Sequence, residues 1–287
     1  MNSLEGGKIK ADSPTTDGRK LYHLGISQGD VARYVLLPGD PERSELIAKT
    51  WDEWRFVARH REYVTYSGKY KGAEISVTST GIGGPSAAIA VEELLRAGAD
   101  TFIRVGTTGA IKGEIEIGDL IISSGAVRLD GTSKQYAIPE YPAVSSYEVL
   151  LALVEAAESL NKRYWVGITA STDSFYLGQG RPGYKNFMNS WAKSIISELK
   201  SLNVLNFEME ASTIFTMANI YGARASSICA VIANRVTNEF VPNAGVDDAV
   251  KVADEAVKIL SEWDELKRNS GKRSFYPSLL LKDKMRL

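Results

Sequence analysis

Short apolar runs that close on glycine-bearing turns and lead into helical stretches recur along this chain, and that alternation most constrains what it can fold into. The first, Val35-Leu36-Leu37, enters Pro38-Gly39-Asp40-Pro41 and a predicted helix over residues 42–48. Glycine permits a tight connection there, and Asp40 can cap the helix start. A second run, 74–80, enters Gly81-Ile82-Gly83-Gly84-Pro85-Ser86, and the apolar spacing over 87–95 predicts an amphipathic helix with Glu92 and Glu93 on its exposed side. A third, Thr101-Phe102-Ile103-Arg104-Val105, is expected to end at a turn made by Gly106-Thr107-Thr108-Gly109-Ala110. Apolar stretches follow at 117–122 and 126–129, with strands expected at 164–170 and 225–233 and helices at 147–160, 191–202, 210–221 and 246–266. Pro139 and Pro142 mark a local turn, and residues 178–183 read as an irregular loop. The predicted class is α/β: a single-domain, three-layer-like fold with a central mixed β-sheet flanked by helices and functional loops at strand ends.

A chain of 287 residues, 44% of them hydrophobic, can bury one large core. No tandem repeat or long glycine-serine linker forces a boundary, so the domain is assigned to 21–268, with 1–20 an amino-terminal extension and 269–287 a basic tail. The cations around that end, Lys267, Arg268, Lys272, Arg273, Lys282, Lys284 and Arg286, read as a solvated terminus. A formal net charge of -1 argues against nucleic acid as a partner while leaving room for local arginine clusters that bind a small anion. Cys229 is the only cysteine, which excludes an intrachain disulfide and a multi-cysteine metal site; inside the apolar run 226–233 it reads as a core residue. The polar opening resembles no signal peptide, and no window supplies the roughly twenty apolar residues of a spanning helix, so a cytoplasmic enzyme without a membrane partner is expected.

Three groups of residues carry chemistry. Gly39 can bring a backbone donor close to an anion, Arg43 and Arg104 can hold phosphate oxygens, and Thr107 adds a hydroxyl. Taken alone, Arg43 and Arg61 equally suit surface salt bridges, and Arg104, which interrupts an apolar strand, equally suits an internal ion pair. Glu210 can accept bonds from sugar hydroxyls while Met209 packs against the ring; alone, Glu208 and Glu210 are a solvated pair at a helix start, and His23 a brace for a turn. Gln179 offers a donor and an acceptor to a base edge, Arg181 and Arg235 can stabilise charge developing on it, and Phe175, Thr108 and Gly109 can shape its pocket. Alone, 178–181 is an exposed loop and Phe175 a core aromatic. The glycine run 81–84 is neither a complete dinucleotide fingerprint nor a phosphate loop, because no lysine-serine ending follows it.

Taken in order, His23-Leu24-Gly25, Leu37-Pro38-Gly39-Asp40-Pro41-Glu42-Arg43, His60-Arg61-Glu62, Ser79-Thr80-Gly81-Ile82-Gly83-Gly84-Pro85-Ser86, Arg104-Val105-Gly106-Thr107-Thr108-Gly109, Phe175-Tyr176-Leu177-Gly178-Gln179-Gly180-Arg181, Glu208-Met209-Glu210 and Asn234-Arg235 resemble the nucleoside phosphorylase family. The segment 179–181 and Arg235 favour its uridine branch. The resemblance implies reversible phosphorolysis of uridine to uracil and ribose 1-phosphate, with deoxyuridine or thymidine as further substrates. Arg104, Glu210, Gln179, Arg181 and Arg235 would carry the catalysis. It implies a phosphate site of Gly39, Arg43, Arg104 and Thr107 completed by Arg61 of an adjacent subunit. The ribose site would hold Thr107, Met209, Glu210 and an adjacent His23; the base site, Thr108, Gly109, Phe175, Gln179, Arg181, Glu208 and Arg235. It further implies a homo-oligomer with shared sites, a hexamer built as a trimer of dimers. No cofactor beyond phosphate as co-substrate is implied, although Glu62, Ile82 and Ser86 match positions that can hold potassium at a subunit interface. A purine nucleoside phosphorylase with a divergent base loop and a catalytically silent nucleoside-binding homologue are the alternatives.

Overall fold

The computed structural model describes residues 11–16 and 18–284, so residues 1–10 of the proposed extension lie outside it, as do the side chains of Lys282, Lys284 and Arg286. In chain order the elements are β1 (Tyr34–Leu37), α1 (Pro41–Ala48), β2 (Glu53–His60), β3 (Tyr63–Tyr70), β4 (Ala73–Thr78), α2 (Gly84–Ala97), β5 (Thr101–Ala110) and β6 (Leu120–Leu129). There follow α3 (Thr132–Tyr136), β7 (Ala143–Val144), α4 (Tyr147–Ser159), β8 (Tyr164–Thr172), α5 (Ser190–Ser201), β9 (Val204–Glu208), α6 (Ala211–Tyr221), β10 (Arg224–Asn234), β11 (Glu239–Phe240), α7 (Val246–Ser270) and α8 (Ser278–Lys284). The expected helices fall within a few residues of their sequence bounds, as fraying ends allow. α7 runs further than expected and stops where Gly271 takes a left-handed conformation, φ 65°.

The strands form one mixed sheet in the order β11-β10-β6-β8-β9-β5-β1-β4-β3-β2. β10 also pairs with β5, in parallel along most of its length, so β5, β10, β6, β8 and β9 close into a ring from which β1, β4, β3 and β2 extend. Side chains alternate across the strands. Leu36, Ile103 and Val105 belong to the core shared with Leu153 of α4 and Leu260 of α7. Val35, Leu37 and Phe102 face the core formed with Leu94 of α2 and Phe215 of α6. Each such burial contributes about 1.5–3 kcal/mol. The same alternation puts Arg104, two residues after Phe102, on the α2 and α6 side, where the carboxylates it needs begin.

Four sequence expectations are corrected by packing. Gly106 is not in a turn: β5 continues through it to Ala110, and a side chain there would stand 2.9 Å from Arg104 Nη2 and 2.8 Å from Cys229 Sγ. The glycine lets the guanidinium fold back over its own strand. Glu93 is buried rather than exposed, because its carboxylate accepts the backbone N–H groups of His23 and Leu24 and faces His23 Nδ1 at 2.8 Å. Segment 178–183 is partly ordered as a 3-10 turn, Leu177–Gln179, and Gly180 lies tight against Ile196 of α5. Beyond residue 268 the chain is not all solvated: Phe275 stacks on Trp263 at 3.8 Å and Leu279 is buried in the same core. Lys267 is likewise held, by Glu148 and Asp264. Among the described residues no helix is long and apolar enough to cross a membrane.

Candidate active site

The carboxyl ends of β1, β5, β9 and β10 open on a cavity of about 550 Å³, of a size suited to a small molecule. At one end Leu37 leads into Gly39, whose α-carbon passes so close to Gly81 that a side chain would lie 3.2 Å from its carbonyl oxygen. Asp40 then caps α1 by accepting the Glu42 N–H at 2.9 Å, and Pro41 begins the helix with a φ already suited to it. One turn on, Arg43 lines the cavity and donates to the Val105 carbonyl at 3.3 Å. Burial lowers the proton affinity of Arg43, Asp40 works against that, and the charge of Arg104 adds to it, an arrangement that an anion beside the two guanidiniums would relieve.

Arg104 is held from the far side. Its Nε donates to Glu208 Oε2 at 2.8 Å and its Nη2 is ion-paired with Glu210, while Nη1 is buried with no protein hydrogen-bond partner. Burial opposes its charge, but Glu210 and Glu208 more than reverse this and hold it above the ordinary arginine range. Glu208 does not spend its carboxylate on the cavity: Oε1 accepts the Ser171 hydroxyl and Oε2 also accepts the N–H groups of Glu210 and Ala211 at 2.8 and 2.9 Å. Its role here is to seat Arg104 and the start of α6. Glu210 stands at the helix cap with Oε1 on the Gly83 N–H at 2.5 Å. Burial raises its proton affinity, Arg104 opposes the rise, and Glu208 adds to it. Met209 and Thr107 complete this middle stretch of the lining.

At the other end the 3-10 turn buries Gln179 to 3% exposure, which removes the exposed-loop reading of that segment. Arg181 donates to Gln179 Oε1 at 2.5 Å and to the Phe175 carbonyl at 2.8 Å, and its guanidinium carbon lies 3.9 Å from the Phe175 ring centre. Phe175 is about half exposed, a wall rather than a core residue. Arg235 sits behind the turn and donates to the Gln179 and Gly180 carbonyls at 2.8 and 3.3 Å. Both arginines pack over Gly109, where a side chain would meet each at 3.6 Å. Burial, with Arg235 next, pushes Arg181 down to about 10, which still leaves it cationic at neutral pH. Thr108 lines the cavity but turns its hydroxyl to the Phe207 carbonyl, 2.6 Å.

Sequence reading missed Phe207, Ile232, Ala233 and Phe240 of the lining. Phe240 was legible only as an apolar residue in a polar stretch; β11 brings it to the cavity by pairing with Ala233. Several nominated residues lie elsewhere. Arg61 occupies the β2–β3 turn at φ 54°, with its guanidinium 5.9 Å from the Tyr22 ring centre, and His23 is held beside it by Glu93; neither lines this chain's own cavity. Glu62 and Ser86 flank Gly81, where a side chain would be 2.8 Å from Glu62 Cγ and 3.3 Å from Ser86 Oγ, while Ile82 lines the cavity. Ser86 Oγ donates to the Ile82 carbonyl at 3.1 Å. Among the described residues no group of three or more His, Cys, Asp or Glu is arranged to hold a metal.

An arginine-bearing end, a carboxylate and methionine in the middle, and an amide-arginine pair at the far end make one continuous site, and the class follows: the model of the phosphorylase superfamily matches residues 33–262, and the chain belongs to that family. Within it, the chain is 63% identical over 271 residues to the uridine phosphorylase of Thermococcus kodakarensis, covering 94% of this chain and 98% of the relative. It is 43% identical over 245 residues to the uridine phosphorylase of Escherichia coli, 84% and 96% of the two chains. The guanosine phosphorylase of Halorubrum lacusprofundi is 42% identical over 217 residues, 76% of this chain and 85% of its own.

Proposed function

We propose that the chain catalyses the reversible phosphorolysis of uridine to uracil and ribose 1-phosphate. The observation that carries this reading is the convergence of Arg43, Arg104, Glu210, Met209, Gln179 and Arg181 on one cavity, which supports subsites for phosphate, sugar and base along it. Arg43, Arg104, the Gly39 backbone and Thr107 hold phosphate beside the anomeric carbon, where proximity and preorganised charge lower the barrier. Glu210 accepts sugar hydroxyls and Met209 packs on the ring. As the glycosidic bond lengthens, electrons move onto the base; Arg181, cationic and held by Gln179 and Phe175, stabilises them, and Arg235 supports the turn from behind. Phosphate attacks the sugar, so no protein nucleophile is required.

The relatives named uridine phosphorylase support the pyrimidine substrate, as does the Gln179 and Arg181 pair. The guanosine phosphorylase relative makes purine turnover the competing reading. Incubation with uridine, deoxyuridine, thymidine, inosine and guanosine, with and without phosphate, separates them. The expected result is phosphate-dependent release of uracil with ribose 1-phosphate, and slower use of deoxyuridine and thymidine. Free ribose formed without phosphate, or turnover confined to purines, overturns the reading.

Arg61 and His23, displaced from their own cavity, are proposed to complete a neighbouring subunit's phosphate and sugar sites in a homohexamer arranged as a trimer of dimers. Light scattering tests the assembly. Potassium is proposed near Glu62, Ile82 and Ser86; equal activity with potassium or tetramethylammonium as the cation would remove it from the reaction.

A further inference from the structure

Glu210 is the first residue of a helix start that is anchored from two sides. On one side the N–H groups of Glu210 and Ala211 donate to Glu208, and that of Ser212 to Ser171 Oγ at 2.9 Å. On the other side stands Asp130, the residue after β6, fully buried. Its Oδ1 accepts the hydroxyls of Ser212 and Ser133 at 2.5 and 2.7 Å, and its Oδ2 accepts the Thr213 hydroxyl at 2.9 Å and the Ser133 N–H at 2.6 Å. Burial works against the charge of this carboxyl, but those four donors hold it below the ordinary aspartate range. An anion beside a helix start is also favoured by the helix dipole.

The start of α2 keys into the same place. A side chain on Gly84 would lie 2.8 Å from both Thr132 Oγ1 and Thr213 Oγ1, so α2 is seated on the loop that Asp130 opens and on the α6 turn that Asp130 holds. The preceding residue, Gly83, donates the N–H that fixes Glu210 Oε1. The α6 turn that carries Glu210 and the Gly83 N–H on its Oε1 are therefore registered through contacts that centre on Asp130, while the Arg104 ion pair and the Glu208 carboxylate hold it from the strand side. Arg104 and Glu208, by contrast, are fixed from strands β5 and β9, with Ser171 of β8 behind them.

We propose that Asp130 is a positioning residue that sets where the Glu210 carboxylate stands over the sugar, and through it the preference for a ribonucleoside over its 2′-deoxy counterpart. This rests on the uridine reading above. A carboxylate displaced by a fraction of an ångström loses its geometry on the sugar hydroxyls, and a substrate that lacks one of them loses less.

The test measures kcat/KM for uridine and 2′-deoxyuridine, and KM for phosphate, in the unaltered chain, Asp130→Asn and Thr213→Val. Asparagine keeps the size of Asp130 but cannot accept from all four donors; valine keeps the shape of Thr213 and deletes one donor. The expected fall in the uridine to deoxyuridine ratio is about tenfold for Asp130→Asn and about threefold for Thr213→Val, with phosphate KM within about twofold. An unchanged ratio in the folded variants, whatever their unfolding temperature, overturns the proposal. So do equal losses for both nucleosides, and so does a matching rise in phosphate KM. If Asp130→Asn does not fold, Thr213→Val decides alone. Absence of uridine phosphorolysis in the unaltered chain is a different failure, that of the underlying reading.

Discussion

Two arginines on neighbouring strands, Arg104 within β5 and Arg224 at the start of β10, show how differently one residue type can be used. Arg224 is saturated. It donates to both oxygens of Asp264 at 2.9 and 2.7 Å, to Glu148 at 3.0 Å and to Thr101 Oγ1 at 3.0 and 2.8 Å. Tyr34 and Lys267 take further places on the same carboxylates, and Glu148 accepts the Phe275 N–H, which ties down the chain beyond α7. Arg104 has two carboxylates as well, yet Nη1 has no protein partner, and a second cation, Arg43, lies close enough that burial and the Arg104 charge together lower the proton affinity of Arg43. A closed network holds elements together, whereas an open one retains capacity for an anion. The lesson is that the charge count is a poor guide to function; the unfilled donor is the better one.

The sharpest break between the two is expected from Arg104→Ala. Loss of a preorganised cation at the phosphate should lower kcat/KM about 10³-fold, roughly 4 kcal/mol in the transition state. Steady-state kinetics at saturating nucleoside check it, and a loss below tenfold would mean that Arg104 is structural. Its unfolding temperature should suffer less than its activity, because Glu210, whose proton affinity is already raised by burial, can take a proton when its cation is gone.

Arg224→Met should do the reverse. Removing one partner of the saturated network leaves Asp264 and Glu148 poorly compensated, at a cost of about 3 kcal/mol, or roughly 6–12 °C in the unfolding temperature. Activity per folded molecule should stay within about twofold. A selective loss of activity would show that the two ends are coupled through β5 and β10.

The smallest effect is expected along α7, which carries an internal control. Asp264 has cations, and although burial opposes its charge, the Arg224 bonds hold it far below the ordinary aspartate range. Its contribution is therefore present above the unfolded pKa and lost as the pH falls below it. Asp254 has none: burial, opposed by the Trp51 and Thr50 bonds at 2.9 and 2.7 Å, pushes it up to about 7. There the sign is opposite, and stability falls as the pH rises from the unfolded value, 3.8, to about 7. Asp254→Asn should raise the unfolding temperature at pH 8 by roughly 2–5 °C and give no gain at pH 4. Calorimetry at both values checks it; a gain at pH 4 alone would reverse the assignment.

Much of this was legible one strand at a time. The apolar runs, glycine turns and helix periodicity located β1, β5, β8, β10 and the main helices, because each signal is local. The β2–β3 hairpin was not foreseen: its first strand is largely exposed, and a register shift between Phe56 and Ala58 interrupts the short alternation that Trp54 and Phe56 begin. Glu93 was misplaced for a related reason, since its partners, the His23 and Leu24 backbone, lie about seventy residues away and helix spacing says nothing of them. The types of the site residues were readable as well. Their division of labour was not: Glu208 holds Arg104 and a helix start, and Arg235 supports Gln179 from outside the lining.

The sequence by itself determined the α/β alternation, the arginines, carboxylates and amide available for a nucleoside and phosphate, and the family to which they belong. Only the tertiary structure decided which of those groups share a cavity, which are already satisfied, and that Gly106 makes room for a guanidinium. The reason is that hydrogen-bond saturation and close approach depend on atoms brought together by the closure of β5, β10, β6, β8 and β9, across separations of about a hundred residues that no local pattern records.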